Sequence, residues 1–308
     1  MDVLIVGSIA YDSLESPEGK SDNELGGSAT YSGFSAAFHS HRLGISKVGI
    51  VGVVGSDFLS KDLESFIDAG LDVSGVEEAE GSTFRWKGSY HDDMATAQTN
   101  ETKLNVLENF QPKIPLNGIE PKVLFCANLH PNIQLSVLEQ TKTKRLIALD
   151  SMNLWINTAK SQLIEVMKKV DLIILNEEEI SLLANDDDLV SAAKKIREMI
   201  GDPIVVIKRG KDGVMALDSE GIFSLPSFPV SRLVDPTGCG DSFAGAMVSF
   251  LSKGEGQVTR NELFESLVHA TVTASFTLET FGTESIRTLK SENYESRLID
   301  YQQISNIR

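Results

Sequence analysis

The segment best suited to chemistry reads Asp235-Pro-Thr-Gly-Cys-Gly-Asp241, and a run of small and apolar residues, 242–251, follows at once. That run predicts a helix whose first turn leaves backbone N–H groups unpaired at the positive end of the helix dipole. Gly238 and Gly240 lack a Cβ, so an anion can approach their backbone closely. Asp241 suits such a site if it accepts a proton from a hydroxyl that attacks phosphorus. A loop with an acidic N-cap has the same pattern, and the residues alone leave both interpretations open.

The stretch from Val234 to Ala246 resembles the C-terminal signature of the ribokinase-like carbohydrate kinases, the PfkB family. That signature usually reads Asp-Thr-x-Gly-Ala-Gly-Asp-x-Phe. Here Pro236 replaces a Thr and Cys239 replaces an Ala, and neither change removes a side chain to which the family assigns chemistry. The resemblance implies a ribokinase-like three-layer α/β/α domain with a mostly parallel central sheet and a small β lid. It also implies that Asp241 is the general base, while the amides of residues 238–240 hold the charge of the transferring phosphoryl group.

A second segment, Asn176-Glu-Glu-Glu179, directly follows the apolar run 171–175. Residues three apart on a first helical turn share one face, so Asn176 and Glu179 can jointly hold Mg²⁺ through water. On spacing alone, an acidic first turn that complements the helix dipole is the more frequent explanation. The segment resembles the family's Asn-x-x-Glu motif, which implies that Asn176 and Glu179 position magnesium and the nucleotide phosphates.

Gly26 and Gly27 precede a run of small residues and permit a sharp turn close to a ligand or to the sheet. The pair resembles the family's N-terminal Gly-Gly motif, which implies a sugar site between lid and core. Many members carry Asn where this chain has Tyr31, and a phenol there argues against a plain copy of ribokinase's sugar contacts. The same comparison implies that Asp12 binds vicinal hydroxyls of the acceptor, although an Asp in a turn at a strand's end is an equally good interpretation of that residue alone.

A strand ending in Lys208, followed by Gly210 and Gly213, resembles the family's nucleotide-facing Gly-x-x-Gly hairpin. The resemblance implies nucleotide contacts there, with Lys208 or Arg209 neutralising ATP phosphates, although cations at strand ends are usually only solvated. His269 falls where relatives line the adenine pocket with a helix, whereas a lone His on a helix is more often structural. Asp235 matches a monovalent-cation site of many ribokinase relatives.

Composition limits the partners of this chain. Its 308 residues are 41% hydrophobic and 23% charged, which is typical of a soluble globular protein and is interpreted as one domain over residues 1–308. The formal charge of −16 repels nucleic acid and anionic membranes, so neither is an expected partner. No apolar run approaches the roughly 20 residues of a membrane span, and the start reads as a strand, not a signal peptide. Cys126 and Cys239 are placed where no structural disulfide is expected, which favours the cytoplasm.

Short apolar runs alternate with amphipathic stretches, a pattern that predicts a mostly parallel sheet with helices on both faces. The predicted strands are 3–6, 48–54, 123–126, 146–149, 172–175 and 204–207. The predicted helices are 31–41, 59–69, 132–141, 158–169 and 189–200, with two more in 240–281. Segments 11–25 and 83–99 break this rhythm and are predicted to form the lid, and 13–23 is the only linker-like stretch. The motif residues follow strands or begin helices, where open parallel sheets bind ligands.

The chain has no Gly-x-x-x-x-Gly-Lys-Ser/Thr run, which excludes a P-loop, and none of its five histidines is paired at metal spacing. The resemblance implies an ATP-dependent kinase of a sugar or sugar-like acceptor that uses ATP, Mg²⁺ and, at its monovalent site, K⁺. A nucleoside kinase is the alternative, because Phe84, Trp86 and Tyr90 can stack on a nucleobase. A ligand-binding relative without turnover is a third interpretation. Only Arg85 and Lys87 are candidates for clamping the second phosphate of a sugar phosphate. A homodimer through lid strands is also predicted.

Overall fold

The computed structural model describes residues 1–44, 47–91, 94 and 97–306. Its strands are β1 (Val3–Val6), β2 (Ala10–Ser16), β3 (Gly19–Gly26), β4 (Val48–Gly55), β5 (Leu71–Ala79), β6 (Phe84–Ser89), β7 (Gln98–Lys103), β8 (Val123–Cys126), β9 (Leu146–Asp150), β10 (Leu172–Asn176), β11 (Ile204–Lys208), β12 (Val214–Asp218) and β13 (Gly221–Leu225). Its helices are α1 (Ser28–Leu43), α2 (Ser60–Asp68), α3 (Pro131–Gln140), α4 (Asn153–Thr158), α5 (Lys160–Met167), α6 (Glu177–Ala184), α7 (Leu189–Ile200), α8 (Cys239–Leu251), α9 (Arg260–Thr277), α10 (Glu284–Arg287) and α11 (Ser291–Ile304). Short 3₁₀ helices cover Asn105–Asn109, Leu116–Gly118 and Gly210–Asp212.

The central sheet has nine strands in the order β13-β12-β11-β10-β9-β8-β1-β4-β5. Strands from β11 to β5 in that order are parallel to their neighbours, and β12 and β13 add an antiparallel edge. Successive residues of a strand point to opposite faces of the sheet. In β10, Ile174 belongs to the core that includes residues of α1, α8 and α9, whereas Ile173 belongs to the core that includes residues of α5 and α7. The predicted three-layer α/β/α class with a mostly parallel sheet is therefore confirmed.

A second sheet lies apart from the first and has the order β3-β2-β6-β7. Its strands come from the two segments that the sequence assigns to the lid, although residues 92–93 and 95–96 of the second segment lie outside the described residues. The linker-like interpretation of 13–23 is wrong, because these residues belong to the antiparallel hairpin β2–β3. Their polar composition is explained by the exposure of β3, which forms one edge of this small sheet.

The other lid edge, β7, exposes every one of its residues. Pairing of lid strands between two subunits stays a prediction. Within the described residues, no helix is both long and apolar enough to cross a lipid bilayer. Three strands went unpredicted, namely β5, β12 and β13. All three lie at or next to an edge of the sheet, and in β5 acidic residues interrupt the apolar run.

Helices α1 and α8 cross closely enough to exclude side chains at their contact. A Cβ on Gly245 of α8 would lie 2.2 Å from the backbone oxygen of Ser32 in α1. Hydroxyls of α1 also donate to the backbone of α8, from Ser32 to the Asp241 carbonyl at 3.0 Å and from Ser35 to the Ser242 carbonyl at 2.6 Å. The first turn of α8 is thus held against α1 by hydrogen bonds to the backbone carbonyls of Asp241 and Ser242.

Candidate active site

The loop that enters α8 is held by a buried carboxylate. Asp235 is 1% exposed, and its two oxygens accept from the amides of Thr237 at 2.9 Å and Gly282 at 3.3 Å. The chain then reaches Gly238, whose φ of 71° is left-handed and favours glycine. A Cβ at Gly238 would also lie 2.3 Å from the ring of Tyr31. Both the left-handed backbone and the close approach of the Tyr31 ring therefore require glycine at this position. Gly238 ends the loop, and the first turn of α8 begins directly after it.

Three neighbouring strands deliver charged or polar side chains to the same edge of the sheet. Asp150 ends β9, Asn176 ends β10 and Lys208 ends β11, and the register pairs Asn176 with Lys208. The Nζ of Lys208 lies 2.8 Å from Oδ2 of Asp150. It also lies 3.1 Å from the position that a Cβ on Gly240 would take. A lysine cation therefore stands beside the first turn of α8, where the helix dipole is positive and backbone N–H groups are unpaired.

Sequence reasoning missed Asp150, which is 3% exposed and is the anionic partner of Lys208. A signal for it was present, since a carboxylate directly ends the apolar run 146–149. Parallel strands place their carboxyl ends at one edge, so a carboxylate at the end of this strand is expected at the same edge as the other motif residues.

The ionisable groups of this edge perturb one another. Burial, with the charge of Asp150 acting in the same direction, raises the pKa of Asp241 to about 7, although Lys208 opposes the shift. Burial and Asp150 likewise raise the pKa of Glu179, again against Lys208. Burial acts to lower the pKa of Lys208, but the carboxylates of Asp150 and Glu179 outweigh it and raise that pKa. Lys208 is therefore a permanent cation among carboxyl groups that can titrate near neutral pH.

Asn176 and Glu179 form a reciprocal cap at the start of α6. The amide of Glu179 donates to Oδ1 of Asn176 at 2.8 Å, and the amide of Asn176 donates to Oε2 of Glu179 at 2.7 Å. This is a capping box, so the alternative of a structural first turn describes a real part of what the pair does. Glu179 is only 6% exposed and lies close enough to Lys208 and Asp150 for their charges to act on it.

A magnesium ion fits this edge only with help from a ligand. Among the residues that the structure describes, no group of three or more His, Cys, Asp and Glu side chains could hold a metal ion. Mg²⁺ in nucleotide sites keeps several waters and is bound by one or two carboxylates together with substrate phosphates. Glu179, with one oxygen committed to the cap, suits that limited role.

On the acceptor side, the two glycines make room for neighbours. A Cβ on Gly26 would lie 2.0 Å from Oδ2 of Asp12, and one on Gly27 would lie 2.5 Å from the carbonyl oxygen of Ser8. Gly27 also has a φ of 94°, and it precedes α1. Asp12 is 4% exposed, and its burial, followed by the charges of Asp235 and Asp241, raises its pKa to about 8. Asp12 therefore lies close enough to Asp235 and to Asp241 in the first turn of α8 for their charges to act on it.

Tyr31 lies at the centre of this space. It is 1% exposed, and its hydroxyl makes no hydrogen bond within the described part of the chain. Burial raises its pKa well above the usual value, and the charges of Asp12 and Asp235 add to the shift. The phenol is thus a neutral hydrogen-bond donor enclosed by carboxylates. The ring occupies the volume directly under Gly238, which a shorter side chain such as Asn would leave open.

The lid presents an aromatic side chain next to Asp12. Asp12 pairs with Trp86 in the parallel β2–β6 register, so the two side chains share a face of the lid. The Trp86 ring covers Gly88, where a Cβ would lie 2.0 Å from it. Arg85 points to the other face, where it bonds Asp57 at 2.8 Å and Asn23 at 2.5 Å. Arg85, a candidate for binding a second phosphate, is therefore already hydrogen-bonded to Asp57 and Asn23.

Other predicted residues lie apart from the glycine loop. His269 stacks on Phe250 near the far end of α8, and its Nδ1 lies 2.5 Å from the Tyr294 hydroxyl. Burial lowers the pKa of His269 to about 4, as suits a structural, neutral imidazole. Gly213 lies in a turn where no side chain fits, because a Cβ there would lie 2.0 Å from the Leu225 carbonyl oxygen. Gly210, with a φ of 52°, has no atom within 4 Å of its Cβ position, so its backbone faces open space.

Cys239 is not a nucleophile in this setting. Burial raises the pKa of its thiol to about 12, so the thiol stays protonated at physiological pH. Its Sγ lies 3.6 Å from the carbonyl oxygen of Ala274, which places the side chain against α9 while its amide belongs to the first turn of α8. Only the backbone of this residue is available to a ligand at the helix end.

Comparison with known proteins matches residues 3–289 to the pfkB family of carbohydrate kinases. A cytidine kinase of Thermococcus kodakarensis is 31% identical over 265 residues, which are 82% of this chain and 90% of the relative. A solved nucleoside kinase of Burkholderia thailandensis in complex with inosine has a TM-score of 0.76 and 16% identity, over 97% of this chain and 98% of that chain. Ribokinase from Thermotoga maritima has a TM-score of 0.72 and 20% identity, over 96% and 99% of the two chains.

These similarities agree with the geometry on two levels. The solved structures share the fold, namely a ribokinase-like α/β architecture, across almost the entire chain. The family match spans both the Gly26–Gly27 turn and the glycine loop at α8. The chain therefore belongs to the pfkB family of carbohydrate kinases, and it is a phosphotransferase that acts on a hydroxyl group.

Proposed function

We propose that this protein is an ATP-dependent nucleoside kinase, with Asp241 as the general base. The observation that carries the choice of acceptor is the pairing of Asp12 with Trp86 on one face of the lid. A carboxyl group that hydrogen-bonds two vicinal hydroxyls and an aromatic ring beside it suit a ribose with an attached base. The relatives named cytidine kinase and nucleoside kinase support the same assignment.

In this proposal Asp241 takes the proton of the acceptor hydroxyl as its oxygen attacks the γ-phosphorus of ATP. The bond from that phosphorus to the bridging oxygen breaks, and ADP leaves. The backbone amides of residues 238–240 and the Lys208 cation stabilise the charge on the transferring group. The support for this is the position of Lys208 beside Gly240 and the elevated pKa of the half-buried Asp241 carboxyl.

ATP and Mg²⁺ are the cosubstrate and cofactor that membership of the family implies. Glu179 would hold magnesium from the protein side, and bound Mg²⁺ would neutralise part of the phosphate charge. Gly210 offers open backbone for the nucleotide, whereas His269 lies with Phe250 and is not included. A monovalent cation near Asp235 is left as a prediction, because both oxygens of that carboxylate already accept from backbone amides.

A neutral acceptor is favoured over a sugar phosphate. Arg85 is committed to Asp57 and Asn23, and Lys87 is exposed on the same side of β6 as Arg85. The charges of Asp235 and Asp241 act on Asp12, so the surroundings of Asp12 are acidic and disfavour a second phosphate.

The test is a coupled assay of ADP release with ATP, Mg²⁺ and a panel of nucleosides, free sugars and sugar phosphates. We expect cytidine or another ribonucleoside to give the highest kcat/KM, with free ribose and fructose far lower. A free sugar as the best acceptor would reject the nucleoside assignment while keeping the kinase. Ligand-induced thermal shifts without any ADP release would identify a binding protein instead.

Trp86→Leu is expected to raise the KM for the nucleoside by about tenfold or more, since stacking of a base on an aromatic ring is worth about 1–3 kcal/mol. The KM for ATP and the low activity on ribose should not change, because neither ligand contains the acceptor base. The matched control is Lys87→Ala, a change at the next residue of β6 on the opposite face. Equal effects of both variants would show that the ring does not contact the base.

Glu179→Gln is expected to raise the Mg²⁺ concentration for half-maximal rate by about tenfold. This corresponds to a loss of about 1.4 kcal/mol in the free energy of Mg²⁺ binding. Gln keeps an oxygen that accepts from the Asn176 amide, so the capping box and the melting temperature should be preserved. The measurement is a magnesium titration at saturating ATP and acceptor. An unchanged titration curve would reduce Glu179 to its role in the cap.

A further inference from the structure

Two side chains of the lid bond directly to the loop that leads into α8. Ser16 at the end of β2 donates its hydroxyl to the Val234 carbonyl at 2.7 Å. Tyr90, which directly follows β6, has its hydroxyl 3.1 Å from Oγ1 of Thr237. Ser16 and Tyr90 are 8% and 7% exposed, so neither bond competes freely with water. The lid and the glycine loop are therefore connected by one buried and one partly buried hydrogen bond between groups far apart in the sequence.

The Tyr90 hydroxyl is not needed to build the lid. The backbone amide of Tyr90 already donates to the Glu15 carbonyl at 2.8 Å, which fastens this residue to β2. Its hydroxyl instead reaches Thr237 at 3.1 Å, where the charges of Asp235 and Asp12 both act on the phenol. The bond to Thr237 is thus an additional contact between the lid and the glycine loop, and the backbone hydrogen bonds of the lid do not depend on it.

Thr237 is the residue immediately before Gly238, and its own amide donates to Asp235 at 2.9 Å. A displacement of the Thr237 side chain is therefore expected to move the peptide that precedes the amides of the first α8 turn. Within the lid, β2 and β6 pair in register from Ala10 to Glu15, so Asp12, Trp86 and Tyr90 move as one piece. Whatever seats an acceptor on the lid also sets the position of Tyr90 relative to Thr237.

We propose that Tyr90 is a positioning residue that couples the seating of the acceptor to the geometry of the glycine loop. This rests on the proposed kinase function. With the Tyr90–Thr237 bond made, the lid covers the γ-phosphate and only the acceptor hydroxyl can attack. Without the bond, water reaches the same phosphorus. Its oxygen attacks, Asp241 accepts its proton, the bond to ADP breaks, and inorganic phosphate forms in place of the phosphorylated acceptor.

The experiment compares Tyr90→Phe, Thr237→Val and the double variant, with ADP, inorganic phosphate and phosphorylated acceptor measured together. Each single variant is expected to lower kcat for transfer by about 3- to 10-fold, the effect of one lost hydrogen bond. The share of ATP lost to water should rise, and the KM for ATP should stay the same. The double variant should be no worse than either single one, because both remove the same bond. Thr237→Ser keeps a hydroxyl and should restore the wild-type product ratio.

A readout without turnover separates this proposal from the function on which it rests. Amide hydrogen exchange of residues 237–241 in the free protein should be faster in Tyr90→Phe and in Thr237→Val than in the wild type. If no acceptor is phosphorylated but exchange is faster, the kinase assignment fails and the contact between lid and loop is upheld. Unchanged exchange together with an unchanged product ratio would overturn the proposal. So would fully additive effects in the double variant.

Discussion

Replacing Asp241 with Asn is expected to lower the turnover of acceptor phosphorylation by about 10³-fold, the middle of the range for loss of a general base. Binding of ATP should be nearly unchanged, because the backbone amides of the first α8 turn and Lys208 remain in place. Asn has almost the same shape, and the Asp241 carbonyl that accepts from Ser32 is a backbone group, so the helix contact survives. Initial rates and an ATP titration measure both quantities. Near-normal turnover in the Asn variant would exclude Asp241 as the base.

The same residue predicts a dependence on pH. Burial raises the pKa of Asp241 to about 7, and Asp150 adds to the shift. Only the deprotonated carboxylate can accept a proton, so kcat should rise with pH through about 7 and level off above it. Below that range it should fall tenfold for each unit of pH. The Asn variant has no such group, and its residual rate should lack this acidic limb.

Lys208→Met is expected to have the second largest effect. It leaves the carboxylate of Asp150 buried without its cation, and breaking a buried pair in this way costs about 3–5 kcal/mol of stability. It also removes the charge that holds down the pKa values of Asp241 and Glu179. The acidic limb of the rate profile should therefore move to higher pH, and kcat/KM for ATP should fall about 100-fold or more, since a charged contact to phosphate is lost. Melting curves and pH profiles give the measurements.

A second substitution separates stability from chemistry. Combining Lys208→Met with Asp150→Asn removes both charges and should recover most of the lost stability. It should not recover the use of ATP, because the cation beside Gly240 is still missing. Lys208→Arg keeps the charge and should retain much more activity than Met. Recovery of activity as well as stability in the double variant would show that Lys208 serves only to neutralise Asp150.

The sequence supported the catalytic helix and the glycine loop well, because their residues are close together in the chain and their spacing has a local physical meaning. Gly238 needs a left-handed backbone, and Asp241 follows within one helical turn. The strands that carry Asn176 and Lys208 were also predictable, since each is a continuous apolar run. The family match and the fold confirm the predicted family and architecture, while the roles of these site residues stay predictions.

Contacts between distant residues were not predictable in the same way. Asp150 and Lys208 are separated by 58 positions, and nothing local shows that they pair. The lid was expected, but its parallel β2–β6 pairing is set by tertiary packing, not by the turn of a hairpin. His269 fitted a pattern on its helix, yet the packing of α9 on α8 places it beside Phe250. In each case packing between elements decided the outcome.

The close crossing at Gly245 has a consequence for how acceptor preference can change. Because α1 and α8 touch through their backbones, the base and the phosphate side of the site cannot shift relative to the Gly26–Gly27 turn without breaking that contact. We therefore expect substitutions in the four-stranded sheet, chiefly around Trp86, to alter selectivity without disturbing that contact. Remodelling for a new acceptor can be confined to those strands, and the machinery for the donor nucleotide can be inherited intact.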